Sequence, residues 1–350
     1  MIKKSAHTTE PDANYSRYTR QRIAAAPRSQ SVLASRVENR PDNDFQNLGN
    51  FGNTTPYSEI AKEPIMIRKF TTLVILTLSS ISGVQAAEAA KPIKALLVLG
   101  GCCHDYGKQQ TLLSEGIAAR ANVEISIEYS EEKSTKPKFE IYENADWAEG
   151  FDVVIHNECA ADVKDKALLE NIFNAHKNGV PVVALHCAMH SYRSGSYGKP
   201  LKPDAPDAGW FNILGMQSSS HTPQKPVVIT YTDKKHPITM GLEDWTTANE
   251  ELYNNVHGIE GNFKNWPKAH PLAEGKQGAG DKPGYNHTVV AWTNLYGPRE
   301  TKVFGTTIGH NNITVGDSRF LDLVTRGLLW VTDKLDENGK PIAGYEAPKK

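Results

Sequence analysis

The chain has 350 residues, a formal net charge of -1, 39% hydrophobic and 23% charged residues, the balance of an ordinary globular protein. Near-neutral charge argues against a nucleic-acid partner, which would call for a basic surface that neutralises phosphates.

Residues 1–65 are dominated by Pro, Ser, Asn, Arg and Gln, broken only by short apolar pairs such as Val32-Leu33. Such a segment buries too little apolar area to offset its ordering entropy and reads as a disordered extension. Next come Met66-Ile67-Arg68-Lys69, the apolar run 70–78, and small residues ending in Val84-Gln85-Ala86. A basic start, an apolar core too short to span a bilayer and small residues two apart are the parts of a secretory signal peptide over 66–86. A signal works at a nascent amino terminus, so translation is expected to start at Met66, with cleavage after Ala86. The mature chain is then periplasmic or secreted, without stable membrane insertion. One α/β domain is expected over 87–335, followed by a polar, loosely attached tail over 336–350.

In the mature chain the apolar stretch 94–101 reads as a strand covered on both faces. A helix over 108–120 and a strand over 123–129 follow. Then come a strand over 151–155, an amphipathic helix over 163–177 closed by Asn178-Gly179, and a strand over 181–185. The Gly-, Pro- and Asp-rich stretch 194–209 reads as a loop over the sheet edge. Strands over 226–232, 288–293 and 302–308 and a closing helix over 317–332 complete the pattern. Alternation of strand and helix predicts a mostly parallel sheet whose strand carboxyl ends open onto one crevice.

Four of these strands run into a histidine: His104, His156, His186 and His310. Imidazole serves near neutral pH as an acid, a base or a metal ligand, so a crevice lined with it points to chemistry. His186 stands at a strand-to-helix turn that pushes one side chain above the sheet. If His186 protrudes, acid/base or metal work is favoured; if Cys187 does, a thiolate nucleophile becomes available. Asp105, next to His104, can orient an imidazole or join it on a metal. Gly100-Gly101 without a full GxGxxG gives no case for a dinucleotide site. Of Glu250 and Glu251, consecutive on extended backbone, at most one enters the crevice, and Glu251 is the choice. His190 is intermediate, and His221, His236, His257, His270 and His287 read as ordinary loop histidines. All four cysteines, Cys102, Cys103, Cys159 and Cys187, lie near these strand ends. They are either free buried thiols or include a disulfide joining Cys102 or Cys103 to Cys159 or Cys187. No CxxC is present, which disfavours a structural zinc knot.

Several segments together resemble the trehalose-utilisation, or ThuA-like, family. They are Leu99-Gly100-Gly101 with His104-Asp105, Val183-Ala184-Leu185-His186-Cys187-Ala188, and His236-Pro237-Ile238-Thr239-Met240-Gly241-Leu242. Glu250-Glu251-Leu252-Tyr253, Val289-Val290-Ala291-Trp292, Phe304-Gly305-Thr306-Thr307-Ile308-Gly309-His310 and Arg326-Gly327-Leu328-Leu329-Trp330 follow in order. The resemblance implies a flavodoxin-like three-layer α/β sandwich, similar to class I glutamine amidotransferases, and a link to sugars through keto-sugar intermediates. Those amidotransferases carry cysteine at the elbow, where this chain holds His186, which disfavours a Cys-dependent hydrolase.

Two classes of function follow. The first is an exported carbohydrate enzyme of hydrolase or lyase type acting on a small sugar or keto-sugar. It has His186, His104 and Glu251 as catalytic groups, and His104, His186 and His310 as ligands of a zinc-like divalent metal. Asp105, His190, Tyr192, Trp210 and Trp292 form the candidate substrate surface. The second is a non-catalytic sugar-binding or accessory module using the same crevice. A homo-oligomer is compatible with either.

Overall fold

In the computed structural model, residues 90–278 and 287–348 are described, His287 by its backbone alone. The expectations for 1–65 and for the signal peptide at 66–86 lie outside the described residues. Among the described residues no helix is long and apolar enough to cross a membrane.

The chain alternates β1 (Ile93–Gly101), α1 (Tyr106–Ala118), β2 (Val123–Ser130), β3 (Val153–Cys159), α2 (Lys166–Lys177) and β4 (Val182–Leu185). After a 3-10 turn at His186–His190 come α3 (Gly209–Leu214), β5 (Ser218–His221), β6 (Lys225–Tyr231), β7 (Trp245–Glu250) and β8 (Tyr253–Asn255). The rest is α4 (Gly258–Asn265), β9 (His270–Lys276), β10 (His287–Tyr296), β11 (Thr301–Thr306), α5 (Asn312–Val315) and α6 (Ser318–Val331).

β1 is buried along almost its whole length because both of its faces are covered. Ile93, Ala95, Leu97 and Leu99 join one apolar cluster, with Leu113 and Ile117 of α1 and Phe320, Val324 and Leu328 of α6. Leu96 and Val98, one residue out of phase, join the other, with Ile172 of α2 and Trp210 and Ile213 of α3. Alternation of side chains along the strand sends each set to its own face. Aspartates start three of the helices: Asp105, Asp165 and Asp317 each accept a hydrogen bond from a first-turn backbone N–H, satisfying a donor that the helix itself cannot.

The sheet order is β2-β1-β3-β4-β11-β10-β9-β6-β7. Pairing is parallel from β2 through β11 and antiparallel from β11 through β7. The expected mostly parallel sheet is therefore mixed. Its second half joins the sequential strands β9, β10 and β11 to the β6–β7 pair through β6 and β9, and antiparallel pairing needs no crossover helix to announce it.

Two further expectations change. The strand predicted to end at residue 155 continues to Cys159, which makes His156 an interior position rather than a strand-end one. The tail is tied down: the Asn122 backbone N–H donates to Tyr345 O, the Asn122 side chain donates to Gly344 O, and Leu335 bridges Pro341.

Candidate functional site

β1, β4 and β11 are in one parallel block with β3, so their carboxyl ends share one edge. His104 lies three residues past β1, His186 directly past β4, and His310 four residues past β11. His186 has φ 41°, a left-handed value that a β-branched or bulky residue avoids. The turn from strand into 3-10 helix at this point aims its ring above the sheet edge.

The three rings meet in edge-to-face contacts, with centroid separations of 4.8 Å for His104–His186, 4.6 Å for His104–His310 and 5.4 Å for His186–His310. Glu251 closes the group. Its carboxylate lies 3.6 Å from His186 Nε2, 3.3 Å from His310 Nδ1 and 3.5 Å from His221 Nδ1. Tyr253 stands on the far side, its hydroxyl 3.3 Å from His186 Nε2. His186 and Glu251 are buried, His104 and His310 partly so, and His221 is exposed at the mouth.

Each ring is held through one nitrogen. His186 Nδ1–H donates to the Thr307 carbonyl at 2.7 Å, which leaves Nε2 with its lone pair. His104 Nε2 contacts Cys187 Sγ at 3.0 Å, and its buried Nδ1 has no hydrogen-bond partner. His310 Nε2 sits 2.7 Å from the Gln224 side-chain nitrogen, and its buried Nδ1 faces the Glu251 carboxylate at 3.3 Å. With Gln224 donating, the His310 proton resides on Nδ1; turning the amide over moves that proton to Nε2 and frees Nδ1.

The fit to a metal follows from these atoms. One nitrogen from each ring lies within 4.8 Å of the other two. A tetrahedral zinc with bonds of about 2.0–2.1 Å sets its ligand atoms about 3.4 Å apart, so the ring nitrogens would draw together by at most about 1.4 Å. Buried polar atoms are ordinarily paired; here His104 Nδ1 has no partner, His310 Nδ1 has only the Glu251 carboxylate and His186 Nε2 only the Tyr253 hydroxyl, so one nitrogen of each ring could turn to a divalent ion. Each ring's other nitrogen already has a carbonyl, thiol or amide neighbour, the supporting contact that fixes a ligating imidazole.

Electrostatics keep two of these rings neutral. Burial, then the charge of His310, lowers the His104 pKa to about 4. Burial, then His104, holds His186 well below its usual value. His310 differs: burial pulls its pKa down, but the hydrogen bond and charge of Glu251 outweigh it and raise it. Burial opposes ionisation of Glu251, yet His310 and His221 together bring its pKa below the usual carboxylate value. Burial, then Cys187, raises the Tyr253 hydroxyl well above the usual range, so it stays a proton donor.

Glu250 points the other way. Fully buried, its carboxylate accepts backbone N–H bonds from Gly309 at 3.2 Å, His310 at 2.8 Å and Asn311 at 2.9 Å. Gln109 holds the same turn from its carbonyl side, donating to Gly309 O and His310 O. Thus one of the paired acids faces the histidines and its neighbour fixes the loop that carries one of them.

Other residues named from the sequence lie elsewhere. His156 does not reach the crevice. Its side chain alternates to the opposite face, where Nδ1 meets Glu158 at 2.8 Å and Nε2 meets His176 at 3.0 Å. Trp210 and Trp292 are buried, with indole N–H groups donating to Ala188 O and Leu214 O; neither offers a ring face to a sugar. Tyr192, also buried, donates its hydroxyl to Glu158 at 2.6 Å. Asp105 is exposed and is occupied in capping α1 and accepting from Asn312. His190 is near the site, stacked on Tyr253 with centroids 4.2 Å apart and hydrogen-bonded to Ser218 Oγ at 2.9 Å. The disulfide is not between distant strands: Cys102 pairs with its neighbour Cys103, and Cys159 and Cys187 are free. Sequence reasoning missed His221, Gln224 and the positional role of Glu250. His221 and Gln224 flank Pro223 in what reads as an ordinary polar turn, and only the pairing of β5 with β8 brings it to the site.

The family model for trehalose utilisation, ThuA, matches residues 94–331. The chain belongs to the ThuA family. Among solved structures, a ThuA-like protein from Parabacteroides merdae superposes with a TM-score of 0.52 at 18% identity, covering 74% of this chain and 98% of that one. A ThuA-like protein from Bacteroides uniformis gives 0.51 at 16% identity, with 74% and 99% covered. At such identities the likeness speaks for the fold alone. No curated protein matches the chain.

Proposed function

We propose that this ThuA family member is a carbohydrate-processing enzyme, acting on a small sugar or keto-sugar at a divalent-metal site formed by His104, His186 and His310. The observation that carries the reading is the convergence of one nitrogen from each of the three rings to within 4.8 Å of one another, with the buried His104 Nδ1 lacking any hydrogen-bond partner. When bound, the metal supplies Lewis-acid polarisation of a carbonyl or hydroxyl oxygen. Glu251, ionised and within 3.6 Å of the rings, accepts a proton from a substrate carbon or hydroxyl, and the Tyr253 hydroxyl donates one. His190 and His221 line the approach. The substrate surface is polar and imidazole-rich, because Trp210 and Trp292 are core residues.

A Cys187 thiolate nucleophile is disfavoured. Its hydrogen bond with Cys159, then burial, raises its pKa far above the usual thiol value, and the elbow position is held by His186. We place the protein outside the cytoplasm, on the strength of the signal-like sequence at 66–86, and read its architecture as the flavodoxin-like three-layer arrangement. Elemental analysis of the purified full chain, with a screen of oxidised and unoxidised disaccharides, tests the function. One equivalent of divalent metal and turnover that falls together in His310→Ala are expected. Sugar binding with neither metal nor turnover would establish an accessory module instead.

A further inference from the structure

Gly101 of β1 lies opposite Cys159 of β3 in the parallel register. Its φ of 101° and its approach to the Cys159 carbonyl, where a Cβ would overlap the oxygen, let the two strand ends close up as only glycine permits. The chain then turns through Cys102 and Cys103, with Cys103 at φ 81°. This brings Cys102 Sγ within 3.4 Å of Cys159 Sγ. The sulfurs of Cys102, Cys103 and Cys159 all lie within 4.8 Å of one another. They grade outward: Cys159 is buried, Cys102 partly buried and Cys103 exposed. The Cys102–Cys103 disulfide occupies two of the three donors, so the cluster has one thiol in the oxidised chain and three in the reduced one.

We propose that this cluster is a second metal site, distinct from the histidine site, which takes one soft, thiophilic divalent cation when the Cys102–Cys103 disulfide is reduced. The opening step needs a dithiol. The Cys102–Cys103 sulfur–sulfur bond breaks, each sulfur gains one hydrogen, and the dithiol loses both hydrogens as it becomes its own disulfide. Binding then releases thiol protons to solvent, since the thiolate is the ligand. Three sulfur donors select for soft or borderline ions over hard ones such as magnesium or calcium. Entry is from the Cys103 side, the exposed end. Cys187 links the two sites without belonging to the donor set, its sulfur lying against His104 Nε2 at 3.0 Å.

The test uses the full chain, reduced with dithiothreitol, desalted under nitrogen and titrated with cadmium while the ultraviolet sulfur-to-cadmium charge-transfer absorption is followed. That band reports thiolate ligation and is silent to imidazole. Saturation at one equivalent is expected in the reduced chain, with loss of the band in the unreduced chain, in Cys159→Ser and in Cys103→Ser, and its retention in His310→Ala. Cys103 is exposed, so its variant decides the matter even where Cys159→Ser folds poorly. No band in the reduced wild-type chain, or wild-type saturation in Cys103→Ser, overturns the proposal.

Discussion

One cluster of histidine with a carboxylate is buried against a face of the sheet and another sits at its carboxyl edge, and besides their burial they differ in how the ring nitrogens are partnered. In the interior cluster, every ring nitrogen has a partner. His176 donates from Nδ1 to Val180 O at 2.8 Å, its Nε2 meets His156 Nε2 at 3.0 Å, and His156 Nδ1 meets Glu158 at 2.8 Å. Tyr192 and Tyr142 donate to the same carboxylate oxygen, while Trp147 and Trp210 cover the rings. In the crevice cluster, the buried His104 Nδ1 has none, and His310 Nδ1 has only the Glu251 carboxylate at 3.3 Å. Rings whose every nitrogen is taken position core elements, even with Glu158 Oε2 left without a partner, whereas a ring with an untaken nitrogen at the sheet edge is shaped for something that arrives. Residue type alone would rank the two as equals.

The largest expected effect is on turnover. His186→Ala should lower it at least about a hundred-fold, the scale of a lost acid, base or ligand, measured on whichever sugar the screen identifies. Because His186 is buried and bonded to Thr307, this variant should also lose about 1–3 kcal/mol of stability, visible in chemical denaturation. An unchanged turnover would place the chemistry elsewhere.

The interior cluster should behave in the opposite way. Glu158→Ala removes the acceptor of His156, Tyr142 and Tyr192 and should cost about 3–5 kcal/mol, with metal stoichiometry unchanged in whatever fraction remains folded. Loss of metal binding in that folded fraction would erase the distinction between the two clusters.

Acid should weaken the fold through both clusters at once. His104 has its pKa lowered from 6.5 to about 4, by burial and then His310, and His176 from 6.5 to about 3, by burial and then His156. Above pH 6.5 these rings are neutral whether the chain is folded or not, and they add no pH dependence. Below it the unfolded chain takes up protons that the folded chain refuses. Stability therefore falls as pH drops from 6.5 toward 4, by about 1.4 kcal/mol per pH unit for each such ring. Denaturation midpoints that stay flat between pH 6.5 and 4.5 would contradict the buried neutral state.

The smallest effect concerns the loop. Glu250→Gln keeps the shape but replaces a carboxylate that accepts three backbone N–H groups, and it should weaken metal affinity about ten-fold at a stability cost of about 1–2 kcal/mol. Equal affinity in a folded Glu250→Gln chain would reduce Glu250 to a packing residue.

Much of this arrangement is legible in the sequence. Apolar runs with a histidine after each give β1, β4 and β11, and parallel pairing brings their ends together without any knowledge of contacts. Strand alternation alone says that at most one of Glu250 and Glu251 enters the crevice, though not which of the two. Other features are not local. The end of β3 is hidden because His156, Asn157 and Glu158 are polar residues inside a strand, and only their partners His176 on α2, Gln109 on α1 and Tyr192 explain how they are buried. Trp210 and Trp292 look like sugar platforms because the sequence does not say that Ala188 O and Leu214 O are waiting for their N–H groups. The antiparallel half of the sheet depends on pairings such as β6 with β9, between segments that are separated by three other elements.

An anomalous difference map at the zinc absorption edge, from crystals of the full chain grown with zinc, tests the central claim most directly. The expected result is one peak about 2.0–2.1 Å from nitrogens of His104, His186 and His310, with none at the His156–His176 pair. A map with no peak among those three rings, or with the ion seated on His156 and His176, would contradict it.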